Sequence, residues 1–337
     1  MVIPQPNASV PQPVPVVFMG SPAFAVPTLE ALVADARFLV RLVVTQPPRP
    51  MGRGKRISRS AVHEAAERLG LPVWTPERLR GANARERLRE VGAPLHIVAA
   101  YGKILRRDML DIPTHGTLNV HASLLPAYRG ASPITAAILD GVTETGVTIM
   151  LLDEGLDTGP ILSQAKVNIS QSDTTPALTE KLAIVGARLL VETAPQWLTS
   201  AINPDPQDLA NAAYATVTHT LTKEDGLIDF AQPPERSVRM ERAYTPWPGV
   251  YTFLGGTRLI VRGLSVVTDM ADAVDVVNVV EMPAGTILAV DREGIRVAAG
   301  GRVLHIAGVQ PEGKVMMAAR AFATGRPGLV GMQLGAG

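Results

Sequence analysis

The sequence predicts an α/β architecture in two parts, a mostly parallel sheet covered on both faces and then a small β-barrel. Three observations predict it. Up to about residue 200, short apolar runs alternate with segments of helical period, the pattern of strands wrapped by helices. Beyond that point the chain turns to short strands separated by glycine turns. Its 337 residues also suit about two domains better than one. Apolar residues make up 46% but aromatics only 4%, so the cores must be aliphatic.

"VPVVFMG" (14–20) reads as a buried strand, "PTLEALVADA" as a helix opened by Pro27, and "FLVRLVVTQ" (38–46) as a second strand. "AVHEAAERLG" (61–70) is a helix closed by Gly70. "LPVWTP", a charged helical stretch over 76–90, and "PLHIVAAYG" (94–102) continue the alternation. "SPITAAILDG" is another helix and "TGVTIMLLDEG" (145–155) another strand. "DTTPALTEKLAIVGARLLVETA" is the clearest helix, with capping residues Asp173 to Thr175, Pro176 near its start, and Leu178, Leu182, Val185 and Leu189 at helical spacing.

"AINPDPQDL", rich in Pro, Asn and Asp, reads as a linker. "PPERSVRMERAY" reads as a helix, "GVYTFLGGTRLIVRG" (249–263) as a hairpin across Gly255 and Gly256, and "GTILAVDREGIRVAAGGRVLHIAGV" (285–309) as three strands. The expected boundaries are 14–200 for the first domain, 201–216 for a linker and 217–330 for the barrel.

Composition excludes several functions. With no cysteine there is no disulfide, thiolate metal site or cysteine nucleophile. The six histidines lack ligand spacing, so no metal is expected. "FMGSPAFA" is not a GxGxxG fingerprint and GxxxxGK[ST] does not occur, which argues against a nicotinamide dinucleotide and against nucleotide triphosphate hydrolysis. The proline-rich opening "MVIPQPNASVPQPVP" lacks the pattern of a signal peptide. No run of 18 apolar residues suggests a membrane span, so a cytoplasmic protein without a membrane partner is expected.

Net charge is only +1, yet Arg37 to Arg59 holds seven basic residues and no acid. Within that run, "TQPPRPMGRGKRISRS" (45–60) interleaves Gly52 and Gly54 with Arg53, Lys55 and Arg56. Such a stretch is either a solvated surface loop or a patch for a phosphate backbone. Residues 201–337 hold 12 basic against 14 acidic side chains, so the barrel makes no claim on a polyanion by bulk charge. Arg236, Arg239 and Arg242 can still form a basic stripe on their helix.

In "LNVHASLLPAYRG" (118–130), Asn119 and His121 are two apart on a strand and face one side, near the end where open parallel sheets bind ligands. A lone buried histidine is usually a core residue, but two polar groups on one buried face both need partners. "DEGLDTGPI" (153–161) adds Asp157 in a glycine-flanked loop, again after the carboxyl end of a strand. Turn aspartates are common. Even so, an amide that donates to an oxyanion, an imidazole that moves a proton, and a carboxylate that fixes its tautomer or raises its pKa form a usable set. No serine, threonine or cysteine is paired with them, which suggests direct transfer to an external nucleophile.

"NVHASLLPAYRGASPI" with "ETGVTIMLLDEGLDTGPIL" resembles the formyltransferases that use 10-formyltetrahydrofolate. The likeness extends to "VVFMGSPAFAVPTLEAL", "TQPPRPMGRGK", "VAAYGKILR", "AYTPWPGVYT" and "PAGTIL", most of residues 15–315. In breadth, and in its Gly-Arg-Gly-Lys loop, it resembles the branch that formylates the α-amine of methionine on initiator tRNA. The resemblance implies a Rossmann-like formyltransferase domain followed by an OB-like β-barrel, with Asn119, His121 and Asp157 as catalytic residues. It implies that Ser123, Leu124, Leu125 and Pro126 border the folate, and that Arg53, Lys55 and Arg56 reach the tRNA acceptor end. The implied partners are 10-formyltetrahydrofolate and charged initiator tRNA, with no obligate protein partner. One departure is "APLHIVAAYG", where Pro94 or Leu95 stands in place of the family's usual aspartate.

Overall fold

A computed structural model describes residues 12–51, 56–207, 215–268 and 279–335. The chain forms two compact units: residues 1–133, 144–168 and 179–218 in one, residues 134–143, 169–178 and 219–337 in the other.

The elements follow in order: β1 (Val14–Gly20), α1 (Val26–Ala34), β2 (Phe38–Val44), β3 (Arg49–Met51), β4 (Arg56–Ser58), α2 (Ala61–Arg68), β5 (Val73–Trp74), α3 (Ala82–Val91), β6 (Leu95–Ala99), α4 (Arg107–Leu110), β7 (Thr117–His121), β8 (Arg129–Gly130), α5 (Pro133–Asp140), β9 (Glu144–Leu151), β10 (Ile161–Asn168), α6 (Thr175–Leu198) and β11 (Val217–Thr218). The main sheet has the order β10-β9-β7-β6-β1-β2-β5. Strands β5, β2, β1, β6 and β7 run parallel, while β9 and β10 are antiparallel additions. Residues 16–19 of β1 and all of β6 and β7 are buried, because a central parallel strand is covered on both faces. Three features differ from the sequence reading. The charged helix begins only at Ala82, after Gly81 at a φ of +86°. Strand β10 went unrecognised, because this edge strand alternates exposed and half-buried side chains and has no apolar run. Strand β9 runs opposite to the parallel set.

His96, the second residue of β6, is wholly buried, and neither ring nitrogen has a hydrogen-bond partner among the described residues. Burial pushes its pKa down from 6.5 to about 4. The unfolded chain therefore takes up a proton that the folded chain rejects, and stability falls as pH drops from about 6.5 to about 4. At 1.36 kcal/mol per pH unit this amounts to about 3 kcal/mol. Denaturant unfolding at pH 7 and pH 4.5 should show His96→Leu losing less stability on acidification than the wild type by roughly that amount. An identical loss in both proteins would contradict it.

The second unit carries α7 (Pro234–Ala243), β12 (Tyr251–Leu254), β13 (Thr257–Val266), β14 (Ile287–Val290), β15 (Ile295–Ala299), β16 (Arg302–Pro311), β17 (Met317–Ala318), α8 (Ala319–Thr324) and β18 (Leu334–Gly335). Its antiparallel sheet, ordered β14-β15-β16-β13-β12-β18, curls into a half-barrel, the form that the expected small barrel takes. The expected arginine stripe on α7 is not a free surface. Arg239 Nε donates to the Leu139 carbonyl at 2.7 Å, and Arg242 Nη1 donates to the carbonyls of Ser170 and Asp173 at 3.2 Å. Glu241 accepts the amides of Gly263 and Leu264. Asp291, Glu293 and His305 bring one possible ligand atom each within 4.8 Å of one another, a grouping made by the hairpin and invisible in sequence spacing. Asp291 is already engaged by Arg296 at 2.7 Å and by two backbone amides. Among the described residues no helix is long and apolar enough to cross a membrane.

Candidate active site

Strand β7 supplies the first two groups. Its alternation puts Leu118 and Val120 on one face and Asn119 and His121 on the other, at 8% and 6% exposure. The chain then turns sharply, held from inside. Ser123 is wholly buried and donates from Oγ to the Ala127 carbonyl at 2.6 Å. Thr148 Oγ1 donates to the Ser123 carbonyl at 2.7 Å and accepts the Leu125 amide at 3.1 Å, and Gln164 Nε2 donates to the Leu125 carbonyl at 2.8 Å. This folding brings the Tyr128 carbonyl 3.0 Å from His121 Nε2.

Asp157 arrives by a different route from the one expected. It follows the carboxyl end of β9, but β9 is antiparallel to β7, so its last residue, Leu151, pairs with Leu118. Asp157 reaches the site because the 152–160 loop folds over the face that carries Asn119 and His121. Two aspartates in "DEGLDTG" divide the work. Asp153 is the turn residue, accepting the Gly155 amide and the Thr158 hydroxyl, whereas Asp157 points its carboxylate into the site. A Cβ on Gly159 would lie 1.9 Å from the Leu151 carbonyl oxygen, so only glycine lets the loop pass so close.

The three side chains converge. His121 Nδ1 lies 3.6 Å from Asp157 Oδ2, Asn119 Nδ2 lies 3.5 Å from Asp157 Oδ1, and the Gly130 amide donates to Asp157 Oδ2 at 2.9 Å. A carbonyl only accepts, so His121 Nε2 carries a hydrogen toward Tyr128. In the neutral ring Nδ1 then holds the lone pair, and the carboxylate beside it offsets the charge that forms when Nδ1 takes a proton. The Asn119 amide has two N–H donors, and only one leans toward Asp157.

Of the other residues singled out by sequence, Ser123 and Leu125 are buried and shape the loop, while Leu124 and Pro126 are half-buried. Arg53 and Lys55 lie outside the described residues. Arg56 begins β4, which pairs with β3 to make a short hairpin at the base of the basic loop. Thr148, Arg129 and Gln207 were missed. Gln207 sits in a stretch whose composition signals only a linker, and nothing local marks it.

Residues 14–194 match the family model described as formyl transferase, and residues 220–327 match the model of the formyl transferase C-terminal domain. A methionyl-tRNA formyltransferase of Roseiflexus sp. (strain RS-1) is 48% identical over 302 residues, 90% of this chain and 89% of the relative. One of Thiobacillus denitrificans is 44% identical over 322 residues, 95% of this chain and 99% of the relative. Among solved structures, a sugar 3N-formyl transferase in the presence of dTDP and 5-N-formyl-THF shares the fold, with a TM-score of 0.60 at 14% identity over 90% of this chain and 99% of that one. Two matched domain models and these relatives over nearly the whole length place the chain in the methionyl-tRNA formyltransferase family, as an enzyme that transfers a formyl group to methionyl-tRNA.

Proposed function

We propose that the formyl donor is 10-formyltetrahydrofolate and that Asn119, His121 and Asp157 carry the transfer. The observation behind this reading is the convergence of an amide donor, the proton-accepting nitrogen of an imidazole and a carboxylate on one face of β7. The α-amine of methionine attacks the formyl carbon, and Asn119 Nδ2 donates to the oxygen as it gains charge. His121 Nδ1 takes the proton from the amine and passes it to the folate nitrogen as the carbon–nitrogen bond breaks. Asp157 holds the ring and balances its transient charge. The half-buried Leu124 and Pro126 offer apolar surface to the folate, on a loop whose shape Ser123 and Leu125 maintain.

We assign Arg53, Lys55 and Arg56 to the phosphates of the tRNA acceptor end, and the cytoplasm as the place of action. Incubating the protein with 10-formyltetrahydrofolate and either methionyl-tRNA or small amines, and following tetrahydrofolate release, tests the donor and the acceptor together. Release with a small amine at the rate seen with methionyl-tRNA would overturn the acceptor assignment. Mutating Arg53 and Lys55 together to Ala should raise the KM for methionyl-tRNA, leave that for the folate unchanged, and flatten the log–log salt dependence by roughly 1.4 to 1.8 for two lost phosphate contacts. An unchanged tRNA KM and salt slope would remove these residues from the interface.

A further inference from the structure

We infer that Gln207, braced by Arg129, is a positioning residue for formyl transfer, fixing the backbone that aims Asp157 at His121. The inference rests on the roles proposed above for His121 and Asp157. Gln207 and Arg129 are both buried, at 9% and 6% exposure. Gln207 Nε2 donates to the Asp157 carbonyl at 2.8 Å and to the Gly159 carbonyl at 2.7 Å, one hydrogen to each side of Thr158. Its Oε1 accepts Arg129 Nε at 3.1 Å and Nη2 at 2.9 Å, so the guanidinium sets which way the amide faces. The clamp acts on an uncommon backbone conformation, because Asp157 has a φ of +52°, in the left-handed region that few residues other than glycine, asparagine and aspartate adopt.

The same stretch of chain holds the other side of the site. Asp205 exchanges backbone hydrogen bonds with Ile161 at 2.8 Å. Further on, the Thr216 hydroxyl accepts the Tyr128 amide at 2.7 Å, and β11 pairs with β8. Gly130, with a φ of +94°, could not carry a Cβ here, since it would lie 2.5 Å from the Thr218 carbonyl oxygen. The Tyr128 carbonyl that orients His121, the Gly130 amide that meets Asp157, and the Asp157 backbone are therefore all tied to residues 205–207 and 216–218. Asp205, Gln207 and Thr216, which fall where composition reads as a linker, are part of the catalytic scaffold.

The test measures formyl transfer to methionyl-tRNA in Gln207→Leu, Gln207→Glu, Asp157→Asn and the double variant Gln207→Leu/Asp157→Asn. A clamp whose loss misplaces Asp157 by about 1 Å should cost roughly 10- to 100-fold in kcat, with KM for both substrates within about twofold. In the Asp157→Asn background, Gln207→Leu should add less than about threefold, because no carboxylate remains to be aimed. Gln207→Glu keeps an acceptor for Arg129 but loses both donors, and it should match the kcat loss even where Gln207→Leu does not fold. Wild-type kcat in the Gln207 variants, a loss carried by KM, or full additivity with Asp157→Asn would overturn the clamp. Wild-type turnover in Asp157→Asn itself would overturn the roles of His121 and Asp157, and the clamp with them.

Discussion

Replacing His121 by Asn should lower kcat for formyl transfer by about 10²- to 10⁴-fold, the range that a positioned proton-transfer group contributes. The amine loses a proton and the folate nitrogen gains one. Among the described side chains that meet at the site, His121 alone offers a nitrogen lone pair for this task. Its Nε2–H is committed to the Tyr128 carbonyl, which leaves Nδ1, beside Asp157, to do the work. Asparagine keeps a polar group near Tyr128, so the fold should survive while the proton shuttle is lost. Asp157→Asn should also lose turnover, and the double variant should be little worse than His121→Asn alone, because the carboxylate acts through the ring. Steady-state kinetics with both substrates saturating checks this, alongside thermal unfolding. A kcat within threefold of wild type would remove His121 from proton transfer.

The sequence made half of this site legible and hid the other half, for reasons that can be named. Asn119 and His121 were readable because a strand's period of two places i and i+2 on one face, whatever surrounds it. Asp157 was readable as a candidate from its glycine-flanked loop, but not its route. Strand direction is set by pairing partners distant in sequence, and β9 pairs antiparallel with β7. Gln207 was not readable at all. Its function comes from two carbonyls about fifty residues earlier in the chain and from a guanidinium still further back, while its neighbours are Pro, Asp and Asn. The α7 arginines show the opposite failure. Their spacing suggested a basic stripe, but two of the three turn onto backbone carbonyls of their own unit, a choice that depends on packing. His96 and His121 make the same point within one sheet. Both are buried histidines on neighbouring parallel strands. Only His121 has a carboxylate and a carbonyl within reach, and no rule about residue types separates the two in advance.

Asn119→Ala should lower kcat about 10²- to 10³-fold, the usual cost of losing one oxyanion donor. Its contact with Asp157, at 3.5 Å, is too long to make Asn119 a structural anchor. The mutation therefore removes little from the ground state, and its effect should fall on kcat rather than on either KM. Asn119→Asp separates this role from mere space-filling. It keeps the size of the side chain but puts a second carboxylate beside Asp157 and turns a donor toward the developing oxyanion into a negative charge. A space-filling residue would tolerate Asp better than Ala. An oxyanion donor would not, and Asn119→Asp should then be the slower of the two variants, with its rate recovering in part on acidification as the new carboxylate is neutralised. If Asn119→Asp instead outperforms Asn119→Ala near neutral pH, the oxyanion must be met by some other donor.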